Sequence, residues 1–314
     1  MHPHSYRYLS AILIAGSISK AAQTLGISQP SLSQFVQRIE KDLGAEVFDR
    51  STRPLTLTES GRIFFEAEKR VAEIREDCRR AVEDIHGGGR GRVVIGASEY
   101  REMFFLTEVL PVFSAAHPGI EIALEEGTTR ELEDFVWTGK TDVSLVISPL
   151  AQPGLEAVEI YEERLLLAVS EKSPLIDKAL ALCPEERRGE EFPPFPFRLL
   201  ADEPFLVVRA GQQIHDLYLS LIAKTGASPK IVLESESLTA ALALAGAGLG
   251  ATIVTETLAR RSAAAKRVRF FSIEPAVPVR KVVAAYRPAR YLSKAARLLI
   301  KTMQDVAKEK FTRG

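Results

Sequence analysis

The sequence predicts two folding units of different class: an N-terminal all-α winged helix-turn-helix with a long linker helix, and a C-terminal α/β domain. Three observations carry this. Between Tyr8 and Leu43, apolar residues recur at helical spacing in three short runs, broken at Gly16 and Gly26 and closed by Gly44. From Phe64 to Ile85 the apolar positions alternate spacings of three and four. Beyond Arg92, short buried-type strands alternate with helical stretches.

The chain has 314 residues, enough for two or three domains, and its 46% hydrophobic and 26% charged content is that of an ordinary globular protein. No apolar run approaches the roughly 20 residues that span a bilayer, and no basic-then-apolar leader opens the chain, so a cytoplasmic location and no membrane partner are expected. Cys78 and Cys183 lie far apart, and the five histidines show no metal-ligand spacing. Neither a metal nor a cofactor is expected. Forty-one basic residues balance forty-one acidic ones, which leaves no global charge argument for nucleic acid.

In the first unit, Leu9, Ile12 and Leu13 begin a helix that stops at Gly16. Ser17 or Ser19 can cap the second helix, whose Ala21, Ala22 and Leu25 face inward; the small alanines let a crossing helix approach. After Gly26, Ser28 caps a third helix with Pro30 in its first turn, where the missing N–H costs nothing. That helix runs to Leu43 and ends at Gly44. Two short helices around a tight glycine turn make a helix-turn-helix.

Leu32, Val36, Ile39 and Leu43 share one face of the third helix and are expected in the core. The opposite face presents Gln29, Pro30, Ser33, Gln34 and Gln37. Glutamine can pair with adenine in the major groove, and serine can reach a base edge or phosphate. Taken alone, such a face reads more readily as solvated helix; the flanking turn reverses that reading in favour of contact with DNA, with Ser28, Ser31 and Arg38 completing the candidate set. Val47 to Thr58 alternates and contains Pro54, as a small hairpin does, with Arg50 and Arg53 near its tip to meet phosphates or the minor groove. Residues 1–58 carry six basic side chains against four acidic ones, so the DNA assignment rests on geometry.

Residues 8–65 resemble the N-terminal domain of LysR-type transcriptional regulators at Gly16-Ser17, Ala21-Ala22, Leu25, Ser28-Gln29-Pro30, Leu32-Ser33, Ile39-Glu40, Leu43-Gly44, Phe48, Arg50, Leu57-Thr58 and Gly61. The resemblance implies a regulator whose helix from Ser28 enters the major groove, with Gln29, Pro30, Ser33, Gln34, Arg50, Arg53 and Pro54 as contacts. It further implies that the C-terminal half is a two-lobed, periplasmic-binding-protein-like effector domain. The chain would cross between lobes near residues 162–169 and return near 268–280. Departures from the family pattern are Gln34, Phe35, Thr255 where many relatives carry proline, and a longer connection from Cys183 to Leu199.

Thr58 can cap a helix running to about His86, with Phe64, Ala67, Val71, Ile74, Cys78, Ala81 and Ile85 forming a heptad seam. Charged flanks make a partner helix the better reading than packing on the same domain, and Cys78 then reads as a small buried residue of the seam. Two heads on one homodimer imply an inverted-repeat operator on double-stranded DNA. The resemblance alone suggests a tetramer. Gly87 to Gly91 reads as a hinge; it lacks the Lys-Ser/Thr ending of a phosphate loop and precedes a strand. The expected domains are thus residues 1–58, 59–86, the hinge 87–91 and 92–314, with lobe one at about 92–162 and 270–314 and lobe two at about 163–269.

Strands are expected at Val93 to Gly96, Ile120 to Leu124, Val143 to Ile147, Phe205 to Val208, Ile231 to Leu233, Ala251 to Val254 and Lys281 to Tyr286, mostly parallel. Open α/β sheets bind ligands at the carboxyl ends of their strands. Ser98, Thr128 with Thr129, and Ser148 each follow a strand there and are the candidate effector contacts, with plain helix capping as the alternative. Phe205 and Thr255 are added from lobe two. Helix-start hydroxyls suit a small carboxylate as effector. An enzyme would need a nucleophile turn, metal cluster or cofactor loop that the sequence lacks, and Gly246 to Gly250 has the wrong spacing and position for dinucleotide binding. A solute-transport protein is opposed by the fused helix-turn-helix.

Overall fold

The computed structural model describes residues 4–86, 90–209 and 213–311, and the chain divides into two compact units, Met1–His86 and Gly87–Gly314. Gly87, Gly88 and Gly89 of the expected hinge lie outside the described residues.

The first unit contains α1 (Ser5–Ala15), α2 (Ile18–Leu25), α3 (Gln29–Leu43), β1 (Phe48–Asp49), β2 (Thr56–Leu57) and α4 (Glu59–His86). Its helix ends follow their sequence signals. Gly16, Gly26 and Gly44 all adopt left-handed φ near +65°, which a Cβ would disfavour. The Ser17 hydroxyl accepts from Lys20 N at 3.2 Å and the Ser28 hydroxyl from Ser31 N at 3.3 Å. Leu9, Ile12, Ala21, Leu32, Val36 and Phe48 form the buried core. Leu43 departs from expectation: it is 42% exposed, because the last turn of α3 projects past the three-helix core.

β1 and β2 pair antiparallel, Phe48 opposite Leu57. The Thr58 hydroxyl then accepts from Gly61 N at 2.9 Å and donates to the Glu46 carbonyl at 2.6 Å, tying the start of α4 to the hairpin. Gly61 is required there, since a Cβ would collide with the Val47 carbonyl. Phe64 and Phe65 pack on the head core. The first expected seam residue, Phe64, therefore belongs to the head, because α4 begins by lying across that core. Further along, Ala67 and Cys78 are exposed and Val71 and Ala81 half-buried, while Ile74 and Ile85 are 67% and 75% exposed. Cys78 is not buried within the single chain.

The second unit runs β3 (Gly91–Ala97), α5 (Glu99–Arg101), a π-helical turn at Glu102–Leu106, α6 (Thr107–Ala116), β4 (Ile120–Glu126), α7 (Thr129–Thr138), β5 (Val143–Ser148), β6 (Glu156–Glu163), β7 (Leu165–Ser170), α8 (Leu175–Leu182), β8 (Pro194–Pro196), β9 (Pro204–Val208), α9 (Gln213–Thr225), β10 (Lys230–Ser235), α10 (Leu238–Gly246), β11 (Ala251–Thr255), α11 (Glu256–Arg261), β12 (Val268–Glu274), β13 (Arg280–Tyr286) and α12 (Lys294–Lys310). Two sheets result, ordered β4-β3-β5-β13-β6 and β10-β9-β11-β7-β12-β8. Each has its own core, one around Phe105, Phe113 and Met303 and one around Phe195, Phe205 and Phe271.

The chain passes from the first sheet to the second at Arg164 and returns between Glu274 and Arg280, later than residue 270. The sheets are mixed, not mostly parallel. β3 pairs parallel with β4 and β5, and β9 with β10 and β11. β13, however, is antiparallel to β5 and β6, and β7 to β11 and β12. The topology demands it: β6 runs toward the crossover while β13 runs away from it, and β7 and β12 do the reverse.

The long connection from Cys183 to Leu199 supplies β8, which pairs parallel to β12 and finishes the edge of the second sheet. Its Phe195 and Phe197 are fully buried. Phe192 lies between the guanidinium groups of Arg164 and Arg260, 5.5 and 5.4 Å from its ring centre.

Candidate nucleic-acid interface and effector site

The α3 surface opposite Leu32 and Val36 is polar and open. Gln29, Pro30, Ser31, Gln34, Gln37 and Arg38 are exposed, and Ser33 is half-buried. Ser28 and Ser31 hydroxyls meet at 2.7 Å, and Gln29 Nε2 donates to the Ser33 hydroxyl at 3.2 Å. These short-range bonds order the helix start while leaving the Gln29 carbonyl oxygen and the whole of Gln34 and Gln37 to the solvent face.

The wing is fixed to this helix. Arg50 Nη2 donates to Glu40 Oε2 at 2.7 Å, and Glu40 Oε1 accepts from Val47 N at 3.0 Å. Arg50 thus buttresses α3, a role its sequence position did not reveal. Arg53 and Pro54 are exposed. Pro54 packs so closely on Gly16 that a Cβ added to that glycine would sit 2.6 Å from Pro54 Cβ. Leu55 N completes the junction by donating to the Gly16 carbonyl at 3.0 Å.

In the second unit, the parallel register of β4, β3 and β5 brings Ser98, Thr128 and Ser148 to one edge, the carboxyl end of all three strands. Gln213 Nε2, from the lobe carrying α9, donates to the Ile147 carbonyl beside them at 3.4 Å, so the two lobes face each other at this edge. The hydroxyls differ in what they are committed to. Thr128 closes a capping box with Glu131, accepting from its N–H at 3.4 Å and donating to its carboxylate at 2.8 Å. Hydrogen bonds from Thr128, its backbone N–H first, hold the Glu131 pKa below the ordinary value. Ser98 makes no capping bond; it accepts from Arg101 Nη1 at 3.3 Å. Thr129 and Ser148 are half-buried.

Two expected effector contacts are not placed to meet a ligand. Phe205 is 1% exposed and stacks on Tyr218 with ring centres 4.8 Å apart; as the inward residue of a central strand it is core. Thr255 is 0% exposed. Its hydroxyl accepts from Leu258 N at 3.1 Å to cap α11 and bonds the Tyr100 hydroxyl. Tyr100 in turn donates to Glu163 Oε1 at 2.8 Å, and Glu163 Oε2 accepts from Arg280 Nη2 at 2.6 Å. This buried network links the strand-end helix of one lobe to both the other lobe and the crossover, and no short motif announces it, since its members come from four separate segments.

Among the described residues no helix is long and apolar enough to cross a membrane. Residues 3–62 match the family model for the bacterial regulatory helix-turn-helix protein, lysR family, and residues 86–308 match that for the LysR substrate binding domain. An HTH-type transcriptional regulator of Bacillus subtilis, YcgK, is 28% identical over 98% of this chain and 95% of its own length. A probable RuBisCO transcriptional regulator of Cyanidioschyzon merolae is 29% identical over 96% of each. Among solved structures, a full-length OxyR variant from Pseudomonas aeruginosa superposes with a TM-score of 0.69 at 21% identity, covering 100% of this chain and 99% of that one. Full-length CbnR in complex with its target DNA gives 0.63 at 23% identity, covering 98% and 100%. With both regions matched from end to end, the chain belongs to the LysR family of DNA-binding transcriptional regulators, a helix-turn-helix head followed by a two-lobed α/β effector domain.

Proposed function

We propose that the protein is a cytoplasmic homodimer, assembling further to a tetramer, that reads an inverted-repeat operator through α3 and the wing and responds to a small carboxylate held between its lobes. The exposed polar face of α3 carries this reading: Gln29, Gln34 and Gln37 stand on a helix whose other face is committed to the core. The solved complex of the related CbnR with its target DNA supports the same use of the head. Ser28, Ser31, Ser33 and Arg38 flank the reading residues, and Arg53 and Pro54 present the wing to the backbone.

Pairing through α4 is supported by its exposed seam, Ile74 and Ile85 above all. The effector site is the strand-end edge of Ser98, Thr128, Thr129 and Ser148, of which Ser98 makes no capping bond. An effector bound there acts only so far as its affinity differs between two arrangements of the lobes.

The test is binding of the full-length protein to DNA from around its own gene, with salt and candidate carboxylates varied. Specific binding that weakens steeply with salt and is lost in Gln29→Ala/Ser33→Ala is expected. Failure to bind any such fragment with or without ligand refutes the assignment.

A further inference from the structure

Arg101, at the end of the short helix α5 that follows Ser98, is the one cation among the buried side chains of the described residues, 6% exposed. Its bonding is sparse for such a place. Nη1 donates to the Ser98 hydroxyl at 3.3 Å, and Nε is sealed without an acceptor. Among the described residues Nη2 makes no bond and no carboxylate stands within ion-pair distance of the guanidinium, yet Nη2 is not sealed as Nε is. The open end of the group therefore lies beside Ser98. A buried carboxylate can shed its charge by taking up a proton, whereas a guanidinium keeps its charge. Burying one uncompensated is costly, and what it lacks is an anion.

The chain does not supply that anion. Glu163 is taken by Arg280 and Tyr100, and Glu131 is engaged by Thr128. Glu102, next in sequence, forms no ion pair among the described residues; burial, then the charges of Glu126 and Glu99, holds its carboxyl above the ordinary pKa, the opposite of what a bound guanidinium does. What remains beside Arg101 is Ser98, on the edge where Gln213 of the other lobe reaches the Ile147 carbonyl.

The same turn holds the lobes together. Tyr100, the residue before Arg101, bonds the Thr255 hydroxyl and packs with Leu242, Val254 and Leu258 of the second lobe. A charge seated on Arg101 is thus bound one residue from a contact between the lobes.

We propose that Arg101 is the specificity-determining residue of the effector site: the acidic group of an anionic effector accepts from Nη2, with the Ser98 hydroxyl alongside. This rests on the strand-end edge being the effector site, and adds the reason that site selects an acid. A neutral amide of the same shape leaves the guanidinium uncompensated and is rejected.

The experiment is calorimetric titration of the full-length wild type, Arg101→Met and Ser98→Ala with acetate, succinate and benzoate, and with benzamide as the neutral isostere. Melting temperatures are followed alongside. Saturable binding of at least one acid is expected, weakened about tenfold or more in Arg101→Met, with benzamide inert. Without ligand, Arg101→Met removes an uncompensated buried charge and keeps an unbranched apolar stem, so it is expected to melt at or above the wild-type temperature. A guanidinium with a merely structural role gives the reverse. The role of Arg101 is overturned if Arg101→Met melts well below the wild type, if it binds the acid as tightly, or if benzamide binds as benzoate does. Normal binding in Arg101→Met together with loss in Ser98→Ala overturns only Arg101 and leaves the strand-end site standing. Binding of no acid, or binding that neither variant alters, overturns both.

Discussion

Glu40 near the end of α3 holds Arg50 of the wing at 2.7 Å with one carboxylate oxygen and the Val47 N–H at 3.0 Å with the other. One side chain therefore ties α3 to the wing hairpin. Glu40→Ala removes both bonds and is expected to weaken the head by about 1–3 kcal/mol, most of it from the stranded Val47 N–H. Glu40→Gln keeps an acceptor for that N–H and gives up only a half-exposed ion pair, worth about 0–1 kcal/mol. Hydrogen exchange at the Val47 amide of the full-length protein checks this. Equal acceleration in both variants would mean that the ion pair dominates.

Gly16 makes a second joint in the same head. Its φ is +64° and Pro54 occupies the place of its missing side chain. Gly16→Ala must strain the backbone, at about 1–3 kcal/mol, and push Pro54 outward. Faster exchange at Leu55 N, which donates to the Gly16 carbonyl, and weaker operator binding are expected together. Alanine at Gly26, where nothing stands within 4 Å of an added Cβ, should show only the backbone cost and leave DNA binding near wild type.

These joints mark how far the sequence could be read. Local signals sufficed for the head, because glycine, serine and proline act within one turn and set where α1, α2 and α3 begin and end. Leu43 is exposed and Phe64 packs on the head core, because period alone gives a face and not what covers it. In the effector domain, strand-end position brought Ser98, Thr128 and Ser148 to one edge, whereas Phe205 and Thr255 are taken up by core packing and capping. The network of Tyr100, Glu163, Thr255 and Arg280 was out of reach, since its members are scattered across most of the effector domain, and only tertiary structure assembles them. Antiparallel β13 and β7 follow from the double passage between lobes, which no local pattern encodes.

Along α4 the seam beyond the head leaves Ile74 and Ile85 67% and 75% exposed, while Arg79 is braced by Glu76 and Glu83 on the flank. Isolated apolar side chains tolerate exposure, but a heptad row of them on a helix favours a partner helix. Ile74→Asp combined with Ile85→Asp is expected to convert the proposed dimer to monomer in sedimentation experiments while far-UV circular dichroism stays unchanged. A double variant that sediments as wild type would place the pairing surface elsewhere.

The Tyr100 hydroxyl crosses between lobes, and its burial gives it a pH signature. Burial, then the charge of Glu163, holds its pKa well above the ordinary 10.0, outweighing the opposing hydrogen bonds of Thr255 and Thr257. Below that ordinary value the phenol is neutral in both folded and unfolded chains, and its stabilising contribution is complete. As pH rises beyond it, the unfolded chain ionises first, so stability falls until the folded pKa is reached. Tyr161, raised mainly by its burial, adds to the same slope. The two differ at neutral pH. Tyr100→Phe breaks two hydrogen bonds and is expected to cost about 1–3 kcal/mol, whereas Tyr161→Phe loses none and is expected to be neutral or stabilising. Urea unfolding followed from about pH 8 to pH 11 should show a shallower alkaline decline in both variants, with a lower neutral midpoint only in Tyr100→Phe. Profiles parallel to the wild type would mean that these phenols ionise as freely in the folded chain as in the unfolded one, and that the Tyr100 bridge is not a closed, dry contact between the lobes.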